Sequence, residues 1–179
     1  TPFFYGWVIM ACAMSANFAR QGSAVATLSL FAIPMSTEFD WSRTAFSGAV
    51  SLGGVLGALI SPKVGILVDR SGPGQVLVIG TLLIGISMAS LSQTNSLIWF
   101  YIAFCVGRMA FSGPFEIAFT SAIANWFIHL RGRAMSLVTL AHSVGLTVFP
   151  IVVFTIIEIW DWRTAWIVVG AMVLFVGVM

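Results

Sequence analysis

Six apolar stretches follow one another along the chain, at about residues 4–33, 44–68, 74–92, 96–128, 134–157 and 164–179. Crossing the hydrocarbon of a bilayer takes about 20 apolar residues in a helix, and that length is the measure for each stretch. The connections between them are short and hold nearly all the charge. The pattern predicts an all-α membrane protein, with one domain of six transmembrane helices over residues 1–179. Only 8% of the residues are charged and 59% are hydrophobic, with a mean hydropathy of +1.03. A soluble domain carries about 25% charged residues, so the lipid bilayer is the expected surround.

The same numbers exclude other classes. A net charge of +2, with no basic run, gives no reason to expect a nucleic-acid partner. Cys12 and Cys105 both lie in apolar stretches and read as small core residues. His129 and His142 are too far apart in sequence to chelate, and no metal-ligand cluster or phosphate-binding glycine loop appears. No metal or cofactor is expected, only an ion gradient as driving force. Residues 5–19 lack the basic flank of a cleaved signal peptide, and the apolar pattern resumes after Gly22, so they read as part of the first span. The start at Thr1 and the stop at Met179 within an apolar run suggest a piece of a longer chain, with a C-terminal six-helix half beyond it.

Charge in the connections sets the expected orientation. With the N-terminus cytoplasmic, Lys63, Arg70, Arg131 and Arg133 lie inside. Arg43 and Arg163 lie outside, among Glu38, Asp40, Glu158 and Asp161. The excess of basic residues on the inner side follows the positive-inside rule.

Three charges sit inside the apolar stretches: Arg20 in the first, Arg108 and Glu116 in the fourth. An ionised side chain at that depth costs at least about 2.5–3.5 kcal/mol and needs a polar cavity, a partner or a ligand. Arg108, Ser112, Glu116 and Thr120 step by four and predict one polar ridge, bent at Pro114 beside Gly113. Asn17, Arg20, Gln21 and Thr27 are expected on one helical face of span 1. At 1.5 Å per residue Arg108 and Glu116 are about 12 Å apart along their helix, too far for a mutual ion pair. Two mid-depth guanidinium groups suit a small carboxylate, which arginine binds through parallel hydrogen bonds. Arg20, Arg108, Asn17 and Gln21 are therefore the candidate substrate contacts, and Glu116 and His142 the candidate proton carriers. A lasting Arg20–Glu116 bridge is the structural alternative.

The other spans read as support. Span 2 carries small residues at Ser47, Ser51, Gly54, Ala58 and Ser61 and a Gly53–Gly57 pair, which predicts close helix packing. Spans 3 and 6 hold no charge and read as lipid-facing. Asp40–Phe46 (DWSRTAF) and Asp161–Trp166 (DWRTAW) each offer an Asp cap, an interfacial Trp and an Arg able to snorkel.

The connection Gly65–Gly74 reads GILVDRSGPG, a turn by its Gly72-Pro73-Gly74 and a helix stop by Asp69 and Arg70. Its spacing resembles the G-x-L-x-D-R-x-G signature of the major facilitator superfamily, matched by Gly65, Leu67, Asp69, Arg70 and Gly72. Pro73, Gly74 and Gln75 stand where that family places basic residues. Trp126–Gly145, Phe4–Trp7 and Glu38–Arg43 are similar to wording found in its bacterial monocarboxylate and oxalate/formate-type transporters. Ser136, His142 and Arg20 depart from that group's pattern. The resemblance implies the N-terminal six-helix half of a transporter, built as a 3+3 inverted repeat. Spans 1 and 4 then line the cavity, Gly65, Asp69, Arg70 and Gly72 form a cytoplasmic gate loop, and Arg108 stands at a position associated with proton coupling.

Secondary transport of a small organic anion, by proton symport or anion exchange through alternating access, is the leading expectation. A drug or metabolite antiporter is the alternative, although its G-P-x-x-G-G run is represented only by Gly145 and, later, Pro150. An intramembrane serine hydrolase using Ser87 and His142 is a distant one, since Met88 follows the serine where a glycine-type turn is needed.

Overall fold

In hydrocarbon every backbone donor and acceptor has to be satisfied within the protein, and long apolar segments meet that demand as helices. The computed structural model describes residues 6–112, 114–127 and 131–178, with the side chains of Pro114, Glu116, Asn125, Arg131 and Val178 also outside the description. In order these are α1 (Gly6–Ala19), a 3-10 turn (Arg20–Ser23), α2 (Val25–Phe39), α3 (Arg43–Ser71), α4 (Pro73–Leu91), α5 (Leu97–Ser112), α6 (Pro114–Trp126), α7 (Arg131–Ile159) and α8 (Trp162–Val178). Four stretches, α3, α4, Leu97–Ala124 and Gly132–Ile159, are each long and apolar enough to cross a membrane, and α8 is a shorter apolar helix. No strand occurs among the described residues.

The helices pack in a pattern with internal symmetry. The broken span α1–α2 lies against α7, α3 against α5, and α4 against α8. Exchanging the first three spans with the last three leaves these pairings unchanged. Helices three spans apart run in opposite directions, so the pattern is that of two inverted repeats. The two interrupted spans, α1–α2 and α5–α6, are counterparts in that exchange.

The first span breaks where no proline stands. Arg20–Ser23 tightens to a 3-10 turn and Ala24 is extended at φ −69°, ψ 154°, while Pro34 lies well inside α2. Side chains take over the freed carbonyls: Thr27 Oγ1 donates to Gln21 O at 2.9 Å and Ser23 Oγ to Arg20 O at 3.2 Å. Gly22 allows the turn to sit on α8, where an added Cβ would come within 2.7 Å of Val173 Cγ2. Asn17, Arg20, Gln21 and Thr27 therefore do not share one continuous helical face, because the break rotates the residues after it.

The connection after α3 also departs from expectation. Gly65–Ser71 is helical, with Asp69 and Arg70 exposed in its last turns, since nothing before Gly72 breaks a helix. Gly72 has φ +84°, its N–H bonds Val68 O, and Pro73 opens α4 at once. That one-residue link uses glycine's access to the left-handed region and proline's fit at a helix start.

Of the small residues in α3, the Gly53–Gly57 pair does the packing. Added Cβ atoms there would meet Arg108 Cβ at 2.7 Å and Ser112 Cβ at 2.8 Å on α5. Ser47, Ser51 and Ala58 are exposed, and Gly54 faces open space. The other close interface is α4 against α8, where Gly85 and Gly170 meet and Gly177 lies on Thr81. Val78, Ile79, Leu82 and Ile86 on the far face of α4 are exposed, as expected for a helix between bundle and lipid.

Where α2 meets α8, Phe31 stacks on Trp166 with centroids 3.7 Å apart. Asp161 caps α8 by accepting from Thr164 N at 2.5 Å. Trp162 and Arg163 both meet the end of α2. Trp162 is buried and donates its Nε1–H to Glu38 Oε2 at 2.6 Å, and Arg163 pairs with the same carboxylate, because α8 starts directly beside the end of α2.

Candidate functional site

The break in the first span presents Arg20 inward. Arg20 is 6% exposed, and its guanidinium lies over Phe111 at 4.8 Å and Phe119 at 5.5 Å from the ring centroids. Arg108 approaches from α5 and lies 4.5 Å from the centroid of the same Phe111. Gly53 lets α3 and the root of the Arg108 side chain touch. Two cations from different spans thus share one phenyl ring.

Each ring contact offsets part of the cost of burying a guanidinium, by about 0.5–2 kcal/mol, but it supplies no hydrogen bond. Arg108 Nε is buried and has no hydrogen-bond partner, and no ion pair to Arg108 occurs among the described residues. A planar donor fork held in this way, beside a second positive charge, has the chemistry to accept an anion bidentately. Phe111 was not singled out in the sequence, where it is one aromatic among many. Its position three residues after Arg108, on the same helical face, is the signal that points to it.

Asn17 and Gln21 turn instead toward α7. Asn17 Nδ2 donates to Val138 O at 2.9 Å, and its Oδ1 is buried without a hydrogen-bond partner. Gln21 is fully buried; its Nε2 donates to Asn17 O at 3.1 Å and lies 2.8 Å from His142 Nδ1. The structure therefore brings Arg20 and Arg108 together at Phe111, and Asn17, Gln21 and His142 together at the α1–α7 contact. The Glu116 side chain lies outside the described residues, as do Gly113, Phe4, Tyr5 and His129. Ser112 Oγ donates back to Arg108 O at 2.9 Å, and Thr120 is exposed.

The remaining candidates separate from this centre. Gly65, Asp69, Arg70 and Gly72 lie at the far end of α3. Ser87 Oγ donates to Ala103 O and His142 bonds Gln21, so the pair forms no nucleophile–base contact. No group of three His, Cys, Asp or Glu side chains able to hold a metal occurs among the described residues. A groove of about 510 Å³ between α2 and α3, lined by Leu28, Ile33, Arg43 and Phe46 among others, does not reach Arg20 or Arg108.

The sequence pattern of the Major Facilitator Superfamily matches residues 7–179. The chain is 33% identical over 114 residues to the fujikurins efflux protein of Gibberella fujikuroi, covering 59% of this chain and 24% of that protein. It is 25% identical over 173 residues to monocarboxylate transporter 9 of Mus musculus, covering 95% of this chain and 33% of that one. With the probable L-galactonate transporter of Escherichia coli K12 it shares 23% identity over 153 residues, covering 85% and 34%. The chain thus spans at most about a third of the length of these relatives. With its inverted three-span repeats and a match running through nearly every residue, the chain belongs to the Major Facilitator Superfamily.

Proposed function

We propose that this multi-pass membrane chain is one six-helix half of a secondary transporter for a small organic anion, a mono- or dicarboxylate. The observation that carries the reading is the meeting of Arg20 and Arg108 on Phe111, with Arg108 Nε buried and lacking a hydrogen-bond partner. An anion placed at Arg108, beside the positive charge of Arg20, supplies the acceptor that Arg108 Nε lacks. The relatives named for monocarboxylate and L-galactonate transport support the same substrate class.

Proton symport or anion exchange by alternating access, with Glu116 and His142 carrying protons, is the coupling we assign. A second six-helix half completes the path. The exposed small residues Ser47, Ser51 and Ala58 on α3, and Ser136, Thr139 and Ser143 on α7, leave faces that such a half would cover. Gly65, Asp69, Arg70 and Gly72 then gate the cytoplasmic side, with the N-terminus cytoplasmic and the protein in the cell (inner) membrane. An ion gradient is the driving force, and no cofactor takes part.

A drug or metabolite antiporter is the second reading, favoured by the 33% identity over 114 residues to an efflux protein. Uptake of labelled lactate, oxalate and a lipophilic cation into proteoliposomes separates the two. Carboxylate uptake lost in Arg20→Ala and Arg108→Ala supports anion transport; exclusive transport of the cation overturns it. Glu116→Gln is expected to lose the proton dependence of uptake and retain exchange. Uptake unchanged in all three variants ends the site assignment.

A further inference from the structure

The buried amide of Gln21 touches both the broken first span and α7. Its Nε2 donates to Asn17 O at 3.1 Å and lies 2.8 Å from His142 Nδ1. A backbone carbonyl only accepts, so Asn17 O fixes which end of the amide is nitrogen. The same nitrogen faces the imidazole, which makes Nδ1 the lone-pair nitrogen and puts the proton of the neutral ring on Nε2. Gln21 Oε1 is left buried without a hydrogen-bond partner.

We propose that Gln21 is a positioning residue that makes protonation of His142 and the intact staple from the 3-10 turn back to α1 mutually exclusive. A proton on Nδ1 would set two N–H donors against each other at 2.8 Å. Relief requires the amide to turn over, presenting Oε1 to the ring and giving up Asn17 O, or the ring to swing away. Asn17 O belongs to the last turn of α1, and Gln21 O receives Ala24 N at 3.1 Å and Thr27 Oγ1 at 2.9 Å on the far side of the break. One residue therefore meets the proton site through its side chain and the far side of the break, the hinge of this proposal, through its backbone carbonyl. Linkage makes the tie reciprocal: opening the hinge favours the proton, and the proton favours opening. Gly145, three residues beyond His142, gives Gln21 the room to reach, since an added Cβ there would lie 2.6 Å from Gln21 Cγ.

The elements packed on α7 are α1, the 3-10 turn, α2, α6 and α8. Their charged residues are Arg20 on the turn, Glu116 on α6, and Glu38 and Arg163 at the outer ends of α2 and α8; α1 has only Cys12 as a titratable side chain, and it is exposed. On α7 itself Arg131, Arg133 and Glu158 stand near the two ends. Arg20 opposes a second positive charge, in the same sense as Gln21, so the variants below leave every one of these groups in place.

The consequence for coupling rests on the proposed transport, but the test does not. Nitrogen-15 NMR of histidine-labelled protein in lipid nanodiscs reads ring tautomer and protonation directly, with the His142 signal identified as the one lost in His142→Gln. The wild-type ring is expected as the Nε2–H tautomer at pH 8. Gln21→Leu is expected to move the midpoint of ring protonation by about one pH unit to the alkaline side. Gln21→Glu, whose oxygens only accept when ionised, is expected to turn the ring to Nδ1–H. A wild-type Nδ1–H tautomer, or a midpoint unmoved by Gln21→Leu, overturns the proposal. If Gln21→Leu does not fold, a tautomer unchanged in Gln21→Glu overturns it instead. No substrate enters the measurement, so it fails independently of the uptake assays.

Discussion

Glu38 and Arg163, 125 positions apart, form a two-pronged ion pair: Arg163 Nη2 donates to Oε1 at 2.7 Å and Nη1 to Oε2 at 3.2 Å. Trp162 Nε1 adds a third donor at 2.6 Å. The clamp joins the end of α2 to the start of α8.

The clamp predicts a pH dependence of stability. The Arg163 guanidinium, and after it the Trp162 indole, hold the Glu38 carboxyl below its ordinary value of 4.5. A carboxyl depressed in the folded state contributes stability that is present above its unfolded value and lost as pH falls through the folded one. Thermal melting in detergent is therefore expected to weaken below about pH 4.5, and Glu38→Gln to remove that part of the decline. Both partners are more than a third exposed, so the contribution is about 0.5 kcal/mol, the scale of a surface pair. A wild-type and a Glu38→Gln curve that fall in parallel would show that the pair contributes nothing.

Contact between α3 and α5 predicts a contrast of two alanines. Gly53→Ala places a methyl 2.7 Å from Arg108 Cβ and 3.4 Å from Cys105 Cα, and is expected to cost about 1–3 kcal/mol by overpacking. Gly54→Ala, one position on, meets open space and should be neutral or stabilising by up to about 1 kcal/mol in this chain. Denaturant or thermal unfolding of the two variants checks the difference. Equal effects would mean that α3 does not rest on α5 through Gly53.

Phe111 predicts an effect on ligand binding without a change of charge. Phe111→Leu keeps the volume apolar but removes the ring face under both guanidinium groups. With each contact contributing about 0.5–2 kcal/mol, affinity for a carboxylate probe such as lactate should fall by about tenfold. Phe111→Tyr should retain it. Isothermal titration or scintillation proximity binding gives the numbers, and wild-type affinity in Phe111→Leu would show that the shared ring does not position the arginines.

The apolar helices, and the placing of Arg20 and Arg108 within the bundle, were legible because hydropathy and burial cost act on single segments. The break at Arg20–Ser23 was not, because proline is the usual local sign of a break and here the work is done by Thr27, Ser23 and the seat of Gly22 on α8. Glu38–Arg163 was also hidden. Each residue alone resembles an ordinary charge in a connection between spans, and only the approach of α2 to α8 pairs them. The polar row of α3 misled for the opposite reason: Ser47, Ser51 and Ala58 have the small size of an interface but face away from this chain's own helices. Asn17 and Gln21 were found as polar residues beside Arg20, yet spacing gave no hint that the turn would aim them at α7.

The seat of Gly22 offers the sharpest test of the break itself. An added Cβ would lie 2.7 Å from Val173 Cγ2, 3.1 Å from Val169 Cγ1 and 3.5 Å from the Phe149 ring. Val169, Val173 and Phe149 are all fully buried, so the clash has no free space to relax into. Gly22→Ala is expected to destabilise the protein by about 1–3 kcal/mol. Val173→Ala alone creates a small cavity and should also cost about 1–3 kcal/mol, but it removes the methyl that Gly22→Ala would strike. The double variant is therefore expected to be more stable than the sum of the single effects, by at least about 0.5 kcal/mol, the lower end for residues in direct contact. Strict additivity in that cycle would place Gly22 away from α8 and leave the 3-10 turn without its seat.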